Sequence, residues 1–133
     1  MTRISLTYAQ ERCVRLAGKL MQQTEMIRPG ARIGVAVSGG VDSFVMLKVL
    51  LIRQRIVPFR FDVLPLHVNP GFAPESHAPL VEWLADAGVE GHVEVCDHGP
   101  RAHSPENRKR SACFYCAMLR RKRLFELCRE REL

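Results

Sequence analysis

Six residues, Ser38-Gly39-Gly40-Val41-Asp42-Ser43, bring together two hydroxyls, a carboxylate and two backbone positions without a Cβ. The apolar run 33–37 precedes them and 44–52 follows, so they sit where a buried strand gives way to a helix. A turn in that place aims unpaired backbone N–H groups and the positive end of a helix dipole at one point, which suits a phosphate. Glycine permits positive φ and lets the backbone approach an oxyanion closely. Ser38 and Ser43 can add hydroxyl donors, and Asp42 can hold a Mg2+ that bridges phosphate oxygens. The plainer alternative is a tight turn in which Asp42 caps the helix.

A second constellation lies near the other end of the chain. Cys113-Phe114-Tyr115-Cys116 brings two thiols close enough to share one soft metal or one edge of a cluster. A redox dithiol, half of a zinc site and a pair of buried thiols are the alternatives. A thioredoxin-like dithiol follows a strand, whereas a polar basic loop precedes this one. Cys128 lies twelve residues beyond Cys116 on what reads as one helix, roughly 18 Å away at 1.5 Å per residue. It joins no common site unless that helix breaks. Cys96 reads as core at the end of a strand and Cys13 as buried in an opening helix. Five cysteines, an odd number set mostly in apolar periodic segments, argue for reduced thiols rather than a disulfide framework.

The formal net charge of +6 is concentrated late in the sequence, in Arg108-Lys109-Arg110 and Arg120-Arg121-Lys122-Arg123. Such clusters neutralise nucleic-acid phosphates or form a solvated helical face. The five histidines (67, 77, 92, 98 and 103) show no mutual ligand spacing. His67, at a strand end close to the glycine turn, is the one placed for a functional contact; the others read as surface or loop.

The elements that must position these groups follow from periodicity. Leu6, Ala9, Cys13, Leu16, Ala17, Leu20 and Ile27 recur at three- and four-residue steps, an amphipathic helix ended by Pro29-Gly30. Strands are expected at 33–37, 61–68 and 92–96, and helices at about 42–55, 75–87 and 113–131. The last helix is expected to turn Phe114, Ala117, Met118, Leu124, Phe125 and Cys128 inward. The polar, proline-broken stretch 97–111 reads as a mobile loop. Alternating strands and helices specify right-handed βαβ crossovers, an α/β, Rossmann-like three-layer fold on a parallel sheet.

At 133 residues the chain is one domain, divided into an N-terminal helix (1–30), a βαβαβ core (31–97), a basic loop (98–112) and a Cys-x-x-Cys helix (113–133). No apolar run is long enough to span a membrane, and the opening residues lack the pattern of a signal peptide. A cytoplasmic protein without membrane contact is expected. Three strands make a thin sheet whose inner edge invites pairing, so the chain reads as a fragment of a longer protein or as a homodimer.

Set between strand and helix, the run 38–43 resembles the SGGxDS signature of the PP-loop ATP pyrophosphatases, the adenine-nucleotide alpha-hydrolase superfamily. The lysine and spacing of a Walker A loop are absent. The resemblance implies that Ala36, Val37, Ser38, Gly39, Gly40, Val41, Asp42 and Ser43 bind ATP with Mg2+, Asp42 having the catalytic metal-supporting role. It also implies that His67 and Val68, in the His67-Val68-Asn69 strand end, lie against the adenine. Adenylation with loss of pyrophosphate follows, and kinase chemistry does not.

Cys113 and Cys116 followed by Leu119-Arg120-Arg121 are similar to the arrangement in tRNA 2-thiocytidine synthetases. That resemblance implies a four-iron four-sulfur ([4Fe-4S]) cluster on Cys113 and Cys116, with a third cysteine and a paired His/Asp run falling beyond Leu133. It implies tRNA thiolation: ATP adenylates a cytidine, and sulfur from a donor protein or sulfide displaces AMP. Arg108, Lys109, Arg110, Arg120, Arg121, Lys122 and Arg123 would track the tRNA backbone. Other PP-loop activities, lysidine synthesis or amidotransferase-type ligation, and a non-catalytic nucleotide-binding module are the alternatives.

Overall fold

The computed structural model describes residues 5–133. Its elements are α1 (Tyr8–Gln23), β1 (Arg32–Ala36), α2 (Val41–Ile56), β2 (Asp62–Asn69), a 3-10 turn (Pro74–His77), α3 (Ala78–Ala87), β3 (His92–Val95), α4 (His98–Ala102) and α5 (Ala112–Glu130). The three strands are parallel in the order β1-β2-β3, with Ala36 opposite Leu66 and Leu66 opposite His92.

Alternation along the strands builds two apolar faces. Ile33, Val35, Val37, Val63 and Val93 pack with Leu47 and Leu50 of α2 and with Leu80 and Leu84 of α3. Leu64, Leu66 and Val68 point the other way, onto Leu124, Leu127 and Cys128 of α5. The result is the three-layer α/β arrangement expected from the sequence. Among the described residues β1 pairs on one side only, which leaves its other edge bare.

A proline in the central strand is normally excluded because it cannot donate to the ladder. Here Leu66 O accepts from Val37 N on the β1 side and Asn69 O accepts from Cys96 N on the β3 side. Pro65, one residue before Leu66, therefore turns its nitrogen toward β3. Since β3 starts only at His92, opposite Leu66, no ladder bond is lost.

The opening helix differs from expectation in its face. Thr7 and Gln10 close a capping box, Thr7 Oγ1 accepting from Gln10 N at 3.2 Å and Gln10 Oε1 from Thr7 N at 3.0 Å. Yet Ala9, Cys13, Leu16 and Leu20, expected to face inward, are exposed. Val14 and Gly18 are buried instead, Val14 against Val49 and Ile52 of α2. The helix lies on α2 rather than on the sheet, so it needs a narrow stripe. Gly18 defines that stripe, because a Cβ there would meet the guanidinium of Arg53.

Two further expectations are corrected. The stretch expected as a mobile loop contains α4, with His98, Gly99 and Ala102 buried. Arg101 donates to both oxygens of Glu106 at 2.9 Å, and Asn107 bonds the carbonyls of Ala102 and Arg110. These bonds use polar side chains that periodicity does not register. On α5, Leu124, Leu127 and Cys128 meet the sheet, whereas Phe114 and Phe125 are 48% and 75% exposed. The third helix also opens as a 3-10 turn before continuing as α3 to Gly88, whose φ of 66° supplies the left-handed cap.

Where β2 leaves the sheet the backbone passes close to the end of β3. Gly71 has φ 94°, and a Cβ on it would collide with the carbonyl of Cys96. Its N–H donates to Asn69 Oδ1 at 2.9 Å. The Asn69 side chain, 1% exposed, also reaches Ala73 O, Ser76 Oγ and His77 Nδ1. One buried amide thus shapes the whole turn between β2 and α3.

Candidate functional site

Strand pairing continues past Ala36, since Val37 N donates to Leu66 O at 2.8 Å, and the chain then turns sharply. Gly39 takes φ 97°, and Gly40, at φ −79° and ψ 162°, caps α2 without any side-chain bond. Asp42 is therefore not the cap; it stands exposed in the first turn of α2. Ser43 Oγ donates to Gly40 O at 2.9 Å and lies 3.2 Å from Ser38 N and 3.3 Å from Ser38 Oγ. Gly40 N donates to Ser38 Oγ at 3.3 Å. Both hydroxyls brace the loop from within. The N–H groups of Val41, Asp42 and Ser43 have no acceptor inside the helix they begin. With Gly39, Gly40, Val41 and Asp42 exposed, that end of α2 presents donors to solvent.

Behind the loop, His67 Nδ1 sits 2.6 Å from Val37 O. This contact ties the end of β2 to the end of β1 and leaves His67 half-buried, its ring 6.3 Å from that of His77. Val68 is buried on the opposite face, toward α5, so only its backbone is near this edge. Ala36 is exposed and Val37 buried at the mouth of the turn.

Helix α5 runs antiparallel to the strands. Arg131 Nη2 meets His92 Nδ1 at the start of β3, and Arg123 meets Glu94 further along it. Ten residues nearer its N-terminus, about 15 Å by helical rise, Cys113 stands beyond the C-terminal ends of the strands. That is the edge from which residues 38–43 also project, and the edge where parallel α/β sheets bind their ligands. Cys113 is exposed and Cys116 half-buried; at a spacing of three they share one helix flank. Ser111 caps this helix, its Oγ accepting from Phe114 N at 3.2 Å.

Cys113 and Cys116 offer two thiol donors on this flank. Among the described residues no three His, Cys, Asp or Glu side chains are placed to hold a metal. Helix α5 is unbroken through Cys128, which packs on the sheet near Gly34. Cys96 Sγ donates to Glu94 Oε2 at 3.1 Å, and burial with that carboxylate pushes its thiol up to about 11. Cys13, expected to be buried, is exposed on α1.

The basic residues divide into two groups. Arg108, Lys109, Arg110, Arg120, Arg121 and Lys122 are exposed, and the Arg110 guanidinium lies 4.9 Å above the Phe114 ring. Arg123 is engaged within the fold: it donates to Glu94 at 2.7 and 2.9 Å and contacts Glu126 and Glu130 at 3.5 and 3.1 Å. Its guanidinium holds the Glu94 carboxyl down at about 2. His92 Nε2 adds a bond to Glu94 at 2.7 Å. Because Arg131 can only donate to Nδ1, the proton of a neutral His92 belongs on Nε2, facing the carboxylate.

Sequence reasoning missed this Glu94 network and the Asn69 turn. The period-two alternation of His92, Glu94 and Cys96 onto one strand face was the available signal for the first. His98, expected in a loop, is buried, and its Nδ1 has no partner among the described residues. Burial pulls its pKa below the ordinary imidazole value.

No protein-family model matches the chain. It is 36% identical over 124 residues to a tRNA-cytidine(32) 2-sulfurtransferase of Stutzerimonas stutzeri, covering 91% of this chain and 44% of the relative. The enzyme of the same name from Pseudomonas paraeruginosa is 35% identical over the same spans. Among solved structures, the U34-tRNA thiolase NcsA from Methanococcus maripaludis, determined with its [4Fe-4S] cluster, superposes with a TM-score of 0.72 at 19% identity. The match covers 92% of this chain and 43% of that one. The chain thus spans under half the length of the relatives it matches.

Proposed function

With the chain placed by this similarity in the PP-loop, tRNA-thiolating family, we propose that it forms the ATP-binding part of a tRNA sulfurtransferase. The observation that carries the reading is the convergence, at one edge of the sheet, of an exposed helix N-terminus built from Ser38–Ser43 and an exposed thiol pair, Cys113 and Cys116.

In this reading the free N–H groups of Gly39, Val41 and Asp42 take the phosphate oxygens of ATP, and the dipole of α2 stabilises the charge that grows on leaving pyrophosphate. Ser38 and Ser43 keep the turn in shape, so the donors are set before the nucleotide arrives. Asp42, exposed beside them, would hold a Mg2+ that offsets phosphate charge. His67 and the backbone of Val68 border the adenine. The tRNA cytidine is adenylated through its C2 oxygen, and a sulfur nucleophile from a donor protein or sulfide then displaces AMP. Cys113 and Cys116 supply two ligands of a [4Fe-4S] cluster, which when bound would hold sulfur for that transfer. A tRNA substrate accords with a cytoplasmic protein, and the bare edge of β1 is closed by further strands or by a second copy.

Two measurements test this. ATP–pyrophosphate exchange in the presence of tRNA should be detectable, and should be lost in Gly39→Ala. Anaerobic reconstitution with iron and sulfide should give a brown protein whose visible absorbance disappears in Cys113→Ser. A protein that binds ATP yet never exchanges pyrophosphate is a nucleotide-binding module, and a colourless, iron-free protein shows that Cys113 and Cys116 do not by themselves hold a cluster.

A further inference from the structure

The outward face of α5 carries a pattern that the nucleotide loop and the thiol pair do not use. Phe114, Met118, Arg121, Lys122, Phe125 and Arg129 fall within an arc of about 100° at 3.6 residues per turn. Phe125 is 75% exposed and Phe114 48%. Arg121, Lys122 and Arg129 are exposed beside them. No carboxylate of α5 shares the arc. Its acidic residues, Glu126 and Glu130, lie on the flank that holds Arg123. At the upper end Arg110 is fixed over Phe114, its Nη1 3.7 Å from Met118 Sδ and its backbone held by both amide atoms of Asn107.

The chemistry of the occupant follows from how the rings are set. The two phenylalanines stand eleven residues apart, roughly 16 Å along the helix, each among cations. A protein partner's interface would be depleted of charge at its core, and a membrane-bound helix needs a continuous apolar face. Isolated rings flanked by arginine and lysine are what unstacked nucleobases on a charged backbone require. Resting on the tRNA reading above, we propose that this face of α5 holds single-stranded RNA of the substrate. Unpaired bases stack on Phe114 and Phe125, while Arg110, Arg121, Lys122 and Arg129 neutralise the adjoining phosphates.

The test is fluorescence anisotropy of the full chain with two labelled RNAs, a hairpin carrying an unpaired loop and a blunt duplex of the same length. Phe125→Ala and Phe114→Ala should each weaken loop binding about tenfold, as expected when one base no longer stacks on an aromatic ring, with duplex binding and the salt dependence unchanged. Arg121→Gln with Lys122→Gln should flatten the salt dependence by about 1.4 in log–log slope, roughly 0.7 for each single-strand phosphate no longer neutralised. Because these side chains are exposed, circular dichroism should show wild-type helix content in every variant. Loop binding by Phe125→Ala equal to wild type, or an equal loss on the duplex, overturns the stacking face while leaving tRNA thiolation standing. A wild-type chain that binds neither RNA overturns both, and unaltered ATP binding in the variants shows that any loss lies on α5.

Discussion

Arg123 of α5 grips Glu94 of β3 with two nitrogens, Nε at 2.7 Å and Nη2 at 2.9 Å, and so joins the helix that carries the thiol pair to the edge strand of the sheet. His92 and Cys96 bond the same carboxylate, so four groups of one strand face and one helix share a single charge centre. The pair is only one-quarter to one-fifth exposed, which keeps it from being screened like a surface pair.

The pH dependence has a definite sign. Glu94 is held at about 2 against its ordinary 4.5, chiefly by its hydrogen bonds with Arg123. A carboxyl depressed in the fold stabilises it fully above the unfolded value and ceases to do so as pH falls through the folded one. Acid should therefore loosen α5 between about pH 4.5 and 2. Glu94→Gln should lower stability at neutral pH by about 1.5–3 kcal/mol, typical of a lost hydrogen bond to a charged group. It should also flatten the acid limb of a denaturation profile; an unchanged acid limb would sink the assignment.

Thiol reactivity should separate the five cysteines. Cys13 and Cys113 are exposed, whereas Cys96 is half-buried, donates to Glu94 and is pushed up to about 11. Time-resolved alkylation at neutral pH, read by mass spectrometry, should modify Cys13 and Cys113 well before Cys96, because the thiolate is the nucleophile. Glu94→Gln should speed the reaction at Cys96. Alkylation of Cys96 at the rate of Cys113 would contradict the structure.

Two glycines should respond to alanine in different ways. Gly71→Ala meets both a positive φ and the Cys96 carbonyl, so chemical denaturation should show a loss above about 2 kcal/mol, given the usual 1–3 kcal/mol for a residue held in a sparsely populated backbone region. Gly39, also at positive φ, has open space around its Cβ position. Its substitution should cost less stability, about 1–2 kcal/mol, but should weaken ATP binding, measured by calorimetry, because the loop must deform to relieve the strain.

Ser43 is the hub of the glycine turn, bonding Gly40 O while accepting from Ser38 N. Ser43→Ala should leave the melting temperature within a few degrees of wild type, since the turn is exposed and each bond contributes about 1 kcal/mol. ATP affinity should fall at least tenfold as the donors lose their arrangement. Equal ATP affinity would show that the loop is shaped by its backbone alone.

Much of the fold is legible in the sequence because its signals are local. Two glycines between an apolar run and a helix, a left-handed glycine at 88 and apolar strands separated by turns place β1, α2, α3 and β3 within a few residues of where they lie. The loop at 38–43 is legible for the same reason: a turn's chemistry is written in consecutive residues. The inward face of α1 is not, because choosing between Leu16 and Val14 depends on Gly18 meeting Arg53 from another helix. The order of the stretch 97–111 is hidden as well. It comes from Arg101, Glu106 and Asn107, polar residues whose partners no periodicity reveals.

Neighbours along the chain were enough to specify the parallel α/β order, the glycine turn, the thiol spacing and the positive charge of the last helix. How those features are used was settled in three dimensions. Folding set the loop and the thiol pair at one edge of the sheet, tied Cys96 to Glu94 and packed Cys128 against the sheet. It also committed Arg123 to Glu94 and left Phe114 and Phe125 facing water. Those outcomes turn on which surfaces meet across the sheet, and burial and charge pairing between distant segments leave no period in the sequence to read.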